Sequence, residues 1–76
     1  MPIIDVKVME NVLSDTEKHE LAQRFTDAFA AVVGEPARQV TWVVIQDVTS
    51  GQWTMGGQPV TTQGVRDLLG RTAASV

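Results

Sequence analysis

Ser14 and Pro36 bracket the one stretch of this chain that carries both the start and the stop signals of a long helix. Ser14 followed by Glu17 has the spacing of a capping box, in which the serine hydroxyl accepts from the third helical amide and the glutamate reaches back to the serine amide; Asp15 complements the helix dipole. Gly34 suits the left-handed position after a helix and Pro36 forbids continuation, so the helix is expected to end near Val33. Within these bounds Leu21, Phe25, Ala28, Phe29 and Val32 recur at helical spacing and predict one apolar stripe, opposed by Glu20, Gln23, Arg24 and Asp27.

A helix of about five turns needs something to pack on, and its two flanks supply it. From Pro2 to Met9 the sequence alternates, with Ile4, Val6 and Val8 on one face and Ile3, Asp5, Lys7 and Met9 on the other. "VTWVVIQDV", Val40 to Val48, is rich in β-branched residues and reads as a buried strand at the sheet centre. Two strands joined by one helix make a βαβ unit, with parallel strands and a right-handed crossover. Beyond it, Gly51 and the Gly56-Gly57 pair mark turns around Trp53 to Met55, a small hairpin. Thr62 is expected to cap a last short helix carrying Val65, Leu68 and Leu69, which Gly70 stops ahead of a fraying small-residue tail. The expected fold class is therefore α/β: a small βαβ subunit with parallel strands, a C-terminal hairpin and a short C-terminal helix, one domain over residues 1–76.

Composition narrows the function classes. A chain of 76 residues buries only about 60% of its unfolded surface and is marginal alone. With no cysteine there are no disulfide staples or thiolate metal sites, so assembly into a homo-oligomer, a dimer or hexamer, is the expected support. A net charge of −3 with six Lys and Arg spread along the chain gives no footprint for nucleic acid. No apolar run approaches a membrane span, and the start lacks the pattern of a signal peptide; the expectation is a soluble, cytoplasmic protein with no membrane partner.

Conventional catalytic sets are missing from the sequence. His19, the single histidine, lies among charged neighbours early in the helix and reads as a solvated residue. Asp5, Glu10 and Asp47 sit on or just after strands, but scattered carboxylates without histidine are weak metal ligands, and neither a metal nor an organic cofactor is expected. The double glycine is turn chemistry and not a phosphate loop, because no lysine and helix start follow at the right distance. Pro2 is different. It is a legal first residue of an edge strand, having no amide hydrogen to offer a sheet. If Met1 is removed, its nitrogen also becomes a free secondary amine. An α-amino group titrates near 7.7 to 8.0, and an apolar wall such as Ile3 and Ile4 lowers that value, giving a base suited to taking a proton from a carbon next to a carbonyl.

Together "PIIDVKV", "LSDTEKHELAQRFTDAF", "VVIQDV" and "GQWTMGG" resemble the 4-oxalocrotonate tautomerase family over roughly the first 57 residues. The resemblance implies short βαβ subunits assembled as dimers or trimers of dimers. It also implies that Pro2, exposed by loss of Met1, is the general base, and that Trp53 takes the place of the family's hydrophobic residue before the double-glycine hairpin, keeping the pocket apolar. The founding members carry an arginine just after the first strand, where this sequence reads "ENVLSD", and a second inside the second strand, where Trp42 stands. Arg38, which shares strand parity with Trp42 at about 13 Å along a strand, is the candidate replacement anion binder. Arginine suits fork-like carboxylate binding better than Lys7 does.

The function expected is that of an isomerase, a keto-enol tautomerase. It would move a proton in an unsaturated or enol 2-oxo acid, with Pro2 as base and Arg38 and Trp53 binding a small-molecule substrate such as phenylenolpyruvate. The alternatives are a hydratase or dehalogenase-like activity with protonated Pro2 as acid, and a catalytically silent oligomeric binding subunit.

Overall fold

The computed structural model describes residues 2–71. Met1 and the small-residue tail, whose removal and fraying the sequence raised, lie outside them. The elements run β1 (Ile3–Met9), α1 (Asp15–Val33), a 3-10 helix (Glu35–Val40), β2 (Trp42–Val48), β3 (Trp53–Met55), β4 (Gln58–Val60) and α2 (Thr62–Leu69). β1 and β2 pair in parallel from Ile3 opposite Trp42 to Met9 opposite Val48, with α1 as the crossover. The α/β class and the βαβ unit are thus as expected.

The sheet has two strands among the described residues, so β2, expected at a sheet centre, is itself an edge. Its alternation of half-buried and exposed residues follows: α1 covers the face of Ile4, Val6, Val43 and Ile45, while Ile3, Trp42 and Val44 lie exposed on the other.

Helix α1 starts on a complete capping box, with Glu17 N–H donating to Ser14 Oγ (3.1 Å) and Ser14 N–H donating to Glu17 Oε1 (2.9 Å). The apolar stripe is displaced from the expected one. Leu21, Phe25 and Phe29 are half-buried and Ala30 is buried, but Ala28 is exposed and Val32 is 87% exposed. The strands are seven residues long, shorter than the helix, so the end of α1 reaches past the sheet, where Ala30 is still buried but Val32 and Val33 are left exposed. Gly34 ends the helix at positive φ (129°), and Pro36 opens the 3-10 helix that carries the chain to β2.

β3 and β4 form the expected antiparallel hairpin. Gly56 (φ 57°) and Gly57 (φ 81°) fill its two-residue turn, where positive φ at both positions gives a twist that matches the strands. α2 is capped by Thr61, not Thr62: Thr61 Oγ1 accepts from Gly64 N–H at 3.1 Å. Thr62 is buried and its hydroxyl donates to the Glu10 carbonyl (2.9 Å), tying α2 to the end of β1. Gly70, in the left-handed conformation, stops the helix as expected.

Candidate active site

Pro2 sits at the mouth of the parallel ladder. Its carbonyl accepts from Trp42 N–H (3.0 Å), so the proline is anchored through its oxygen while its nitrogen stands at the strand end. The residue is half-buried, beside the exposed cross-strand pair Ile3 and Trp42. A cleft of about 530 Å³ opens at this end between α1, the 3-10 helix and the start of β2, lined by Gln23, Thr26, Asp27, Arg38, Thr41 and Val43 among others. Val43 is the register partner of Ile4, so the cleft lies close to the Pro2 end of β1, although Pro2 is not one of its lining residues.

Arg38 does not share strand parity with Trp42. Pro36 starts a 3-10 helix where an extended approach was expected, and Arg38 lies within it. Its Nε donates to Glu35 Oε1 (2.6 Å) and its Nη1 is paired with Asp27. These two carboxylates, Glu35 foremost, push the guanidinium pKa up, and Arg38 in turn holds the Glu35 carboxyl below its ordinary value. Two carboxylates against one guanidinium leave the group with an excess of negative charge.

The other end of the sheet is built differently. Trp53 on β3 lines an apolar cavity of about 240 Å³ with Met9, Met55, Val60, Val65 and Leu68. Met9 is 5% exposed and is one of the three buried apolar residues, with Val12 and Ala30, among the described residues. Next to Val65 stands Arg66, whose Nε (3.0 Å) and Nη2 (2.6 Å) both donate to the carbonyl of Asn11, the residue that turns the chain after β1 at φ 59°. Pro2 and Trp53, expected in one site, thus lie toward opposite ends of β1: Met9, which shares the Trp53 cavity, is seven residues or about 23 Å of strand from Pro2.

The remaining sequence candidates are engaged locally. Lys7 donates to Gln46 (2.6 Å) and lies 3.8 Å from Asp5. Asp47 is paired with Lys18 at 2.9 Å, Glu10 accepts from Ser50 N–H at 2.7 Å, and His19 is exposed on α1. Arg66 belongs to no motif, and α2 offers it no carboxylate three or four residues away, whereas Arg24 has Glu20.

A model of tautomerase enzymes matches residues 2–63, and the chain belongs to that family. TomN, a 4-oxalocrotonate tautomerase homologue in the tomaymycin biosynthetic pathway, superposes with a TM-score of 0.72 at 25% identity, over 88% of this chain and 95% of its own. A second 4-oxalocrotonate tautomerase homologue gives 0.65 at 30% identity, over 75% of this chain and 87% of its own. DmpI from Helicobacter pylori, at 23% identity and a TM-score of 0.69 over 78% of this chain and 95% of its own, shares the fold. Among curated proteins no significant match to this chain was found. No helix among the described residues is long and apolar enough to cross a membrane.

Proposed function

We propose that this chain is a keto-enol tautomerase working without a cofactor, with the Pro2 nitrogen as general base once Met1 is removed. The observation that carries the reading is that the family match begins at residue 2, at a proline tied to the sheet through its carbonyl. An amine held at the strand end, beside Ile3, Ile4 and Trp42, loses hydration of its charged form, which shifts it toward the neutral base. That base takes a proton from carbon, the resulting dienolate is stabilised by a positive group, and the proton returns to a different carbon. The substrate class is a small enol or unsaturated 2-oxo acid with a single carboxylate. Trp53, toward the other end of β1, joins the apolar wall only where the site forms at a subunit boundary, and Arg38 binds an anion when Asp27 or Glu35 releases it.

Assembly belongs to the same reading. The Cα radius of gyration is 14.7 Å, against about 11 Å for a compact domain of this length, and Ile3, Trp42, Val44, Met55 and Leu68 are exposed. A homo-oligomer, dimer or hexamer, covers them.

Ketonisation of phenylenolpyruvate by Met1-free protein and by Pro2→Ala tests the proposal. The expected loss in Pro2→Ala is about 10²- to 10⁴-fold, the ordinary contribution of a general base. Equal rates would support instead the silent binding subunit, a reading that the doubly paired Arg38 favours.

A further inference from the structure

Most of α2 lies beyond the stretch that matches the tautomerase family, which ends at residue 63. It is nevertheless fixed to the part of the chain that does match. Thr62 Oγ1 donates to the Glu10 carbonyl (2.9 Å), and Arg66 donates to the Asn11 carbonyl through Nε (3.0 Å) and Nη2 (2.6 Å). Arg71, just past the helix, pairs with Glu17 at the start of α1. Three anchors along so short a helix fix both its position and its rotation about its own axis.

The rotation decides what α2 presents. Val65, one turn after Thr62, and Leu68, one turn further, fall along one side of the helix. Both line the cavity of about 240 Å³ whose remaining wall is Met9, Trp53, Met55 and Val60. Val65 is half-buried, whereas Leu68 is 85% exposed and stands at the mouth. A side chain so exposed adds little to the stability of the chain. What it adds is an apolar edge to the opening.

The cavity's chemistry selects its guest. No charged side chain is among its lining residues, so a carboxylate or an amine entering it would lose hydration without gaining a partner. Two thioethers and an indole suit an aromatic ring, the thioethers at its edge and the indole by offset or edge-to-face contact. An apolar cavity of about 150 Å³ takes benzene, so this one accommodates a single ring with a short linker. The cleft at the Pro2 end, with Asp27 and Arg38 in its lining, offers no comparable place.

We propose that Val65 and Leu68 are specificity-determining residues: α2 completes an aryl-binding cavity against Trp53 and sets the size of the apolar substituent that the substrate carries. This rests on the tautomerase reading above and narrows its substrate class to 2-oxo acids bearing one aryl group.

Selectivity tests it. Deuterium uptake at C3, followed by NMR, compares phenylpyruvate with pyruvate, which has no apolar substituent. Leu68→Ala is expected to lower kcat/KM for phenylpyruvate about tenfold, the scale of lost contacts in an apolar pocket, mainly through KM, and to leave pyruvate within about twofold. Val65→Ala should act in the same direction. An unchanged ratio in Leu68→Ala, or a loss shared equally by the two acids, overturns the proposal, and the exposure of Leu68 removes misfolding as an explanation. If Pro2→Ala is fully active the tautomerase reading fails instead. Binding of 3-phenylpropionate against propionate, read by Trp53 fluorescence in a Trp42→Phe background, then still decides the role of α2: about tenfold weaker phenylpropionate binding in Leu68→Ala supports it, and equal binding overturns it. A lowered sedimentation coefficient in Leu68→Ala with unchanged phenylpropionate binding would assign the cavity to a second copy and also overturn it.

Discussion

The two ends of the short parallel sheet contrast in what they bury and in what they leave charged. At the Pro2 end the proline nitrogen stands beside exposed Ile3 and Trp42, and the nearby arginine, Arg38, is held by two carboxylates. At the Met9 end the chain is tied down by Thr62 on Glu10 and by Arg66 on Asn11, an apolar cavity is present, and the cation there faces no carboxylate among the described residues. One end holds the proposed base beside an open, charged cleft, and the other holds an enclosed apolar one. A chain this small buries little of its apolar surface alone.

The largest effect expected from breaking this contrast is chemical, the loss of ketonisation in Pro2→Ala. Next is Met9→Ala at the packed end. Removing a buried methionine side chain costs about 2 to 5 kcal/mol, read as a lower urea midpoint at unchanged slope. Ile3→Ala at the open end should cost the monomer less than about 0.5 kcal/mol, as for other exposed sites, yet weaken self-association. Equal losses at the two positions would erase the distinction between a packed and an open end. Ser14→Ala, which removes the α1 cap at the Met9 end, should cost about 1 kcal/mol at any protein concentration, since Ser14 is buried within the chain.

The smallest effect is pH dependence. Arg71 and the Ser14 amide hold the Glu17 carboxyl down from 4.5 to about 2. A carboxylate lowered on folding stabilises above its unfolded pKa, and that contribution fades as pH falls from about 4.5 toward 2. Glu17→Gln should flatten the stability curve over that window, and an unchanged acid limb would show that the contact with Arg71 contributes nothing. The pair is partly exposed, so the effect should shrink with added salt.

Much of this was legible in the residues. Ser14 and Glu17 mark the start of α1, the β-branched runs mark β1 and β2, and Gly56-Gly57 marks the hairpin, because each signal is local and has one cheap structural solution. Arg38 lies off the strand because Pro36, which ends α1, also stands in the first turn of a 3-10 helix. Val32 was counted into the stripe because periodicity does not reveal where the sheet under a helix ends. The separation of Pro2 from Trp53 and the docking of Arg66 on Asn11 are contacts between remote residues, and no spacing rule in a single sequence encodes them.

The most direct test of the central claim is titration of the Pro2 nitrogen by ¹⁵N NMR in Met1-free protein. The expected midpoint lies below the ordinary α-amino range of about 7.7 to 8.0 and matches the basic limb of the kcat/KM profile. A midpoint within or above that range, or a nitrogen that does not titrate, would contradict it.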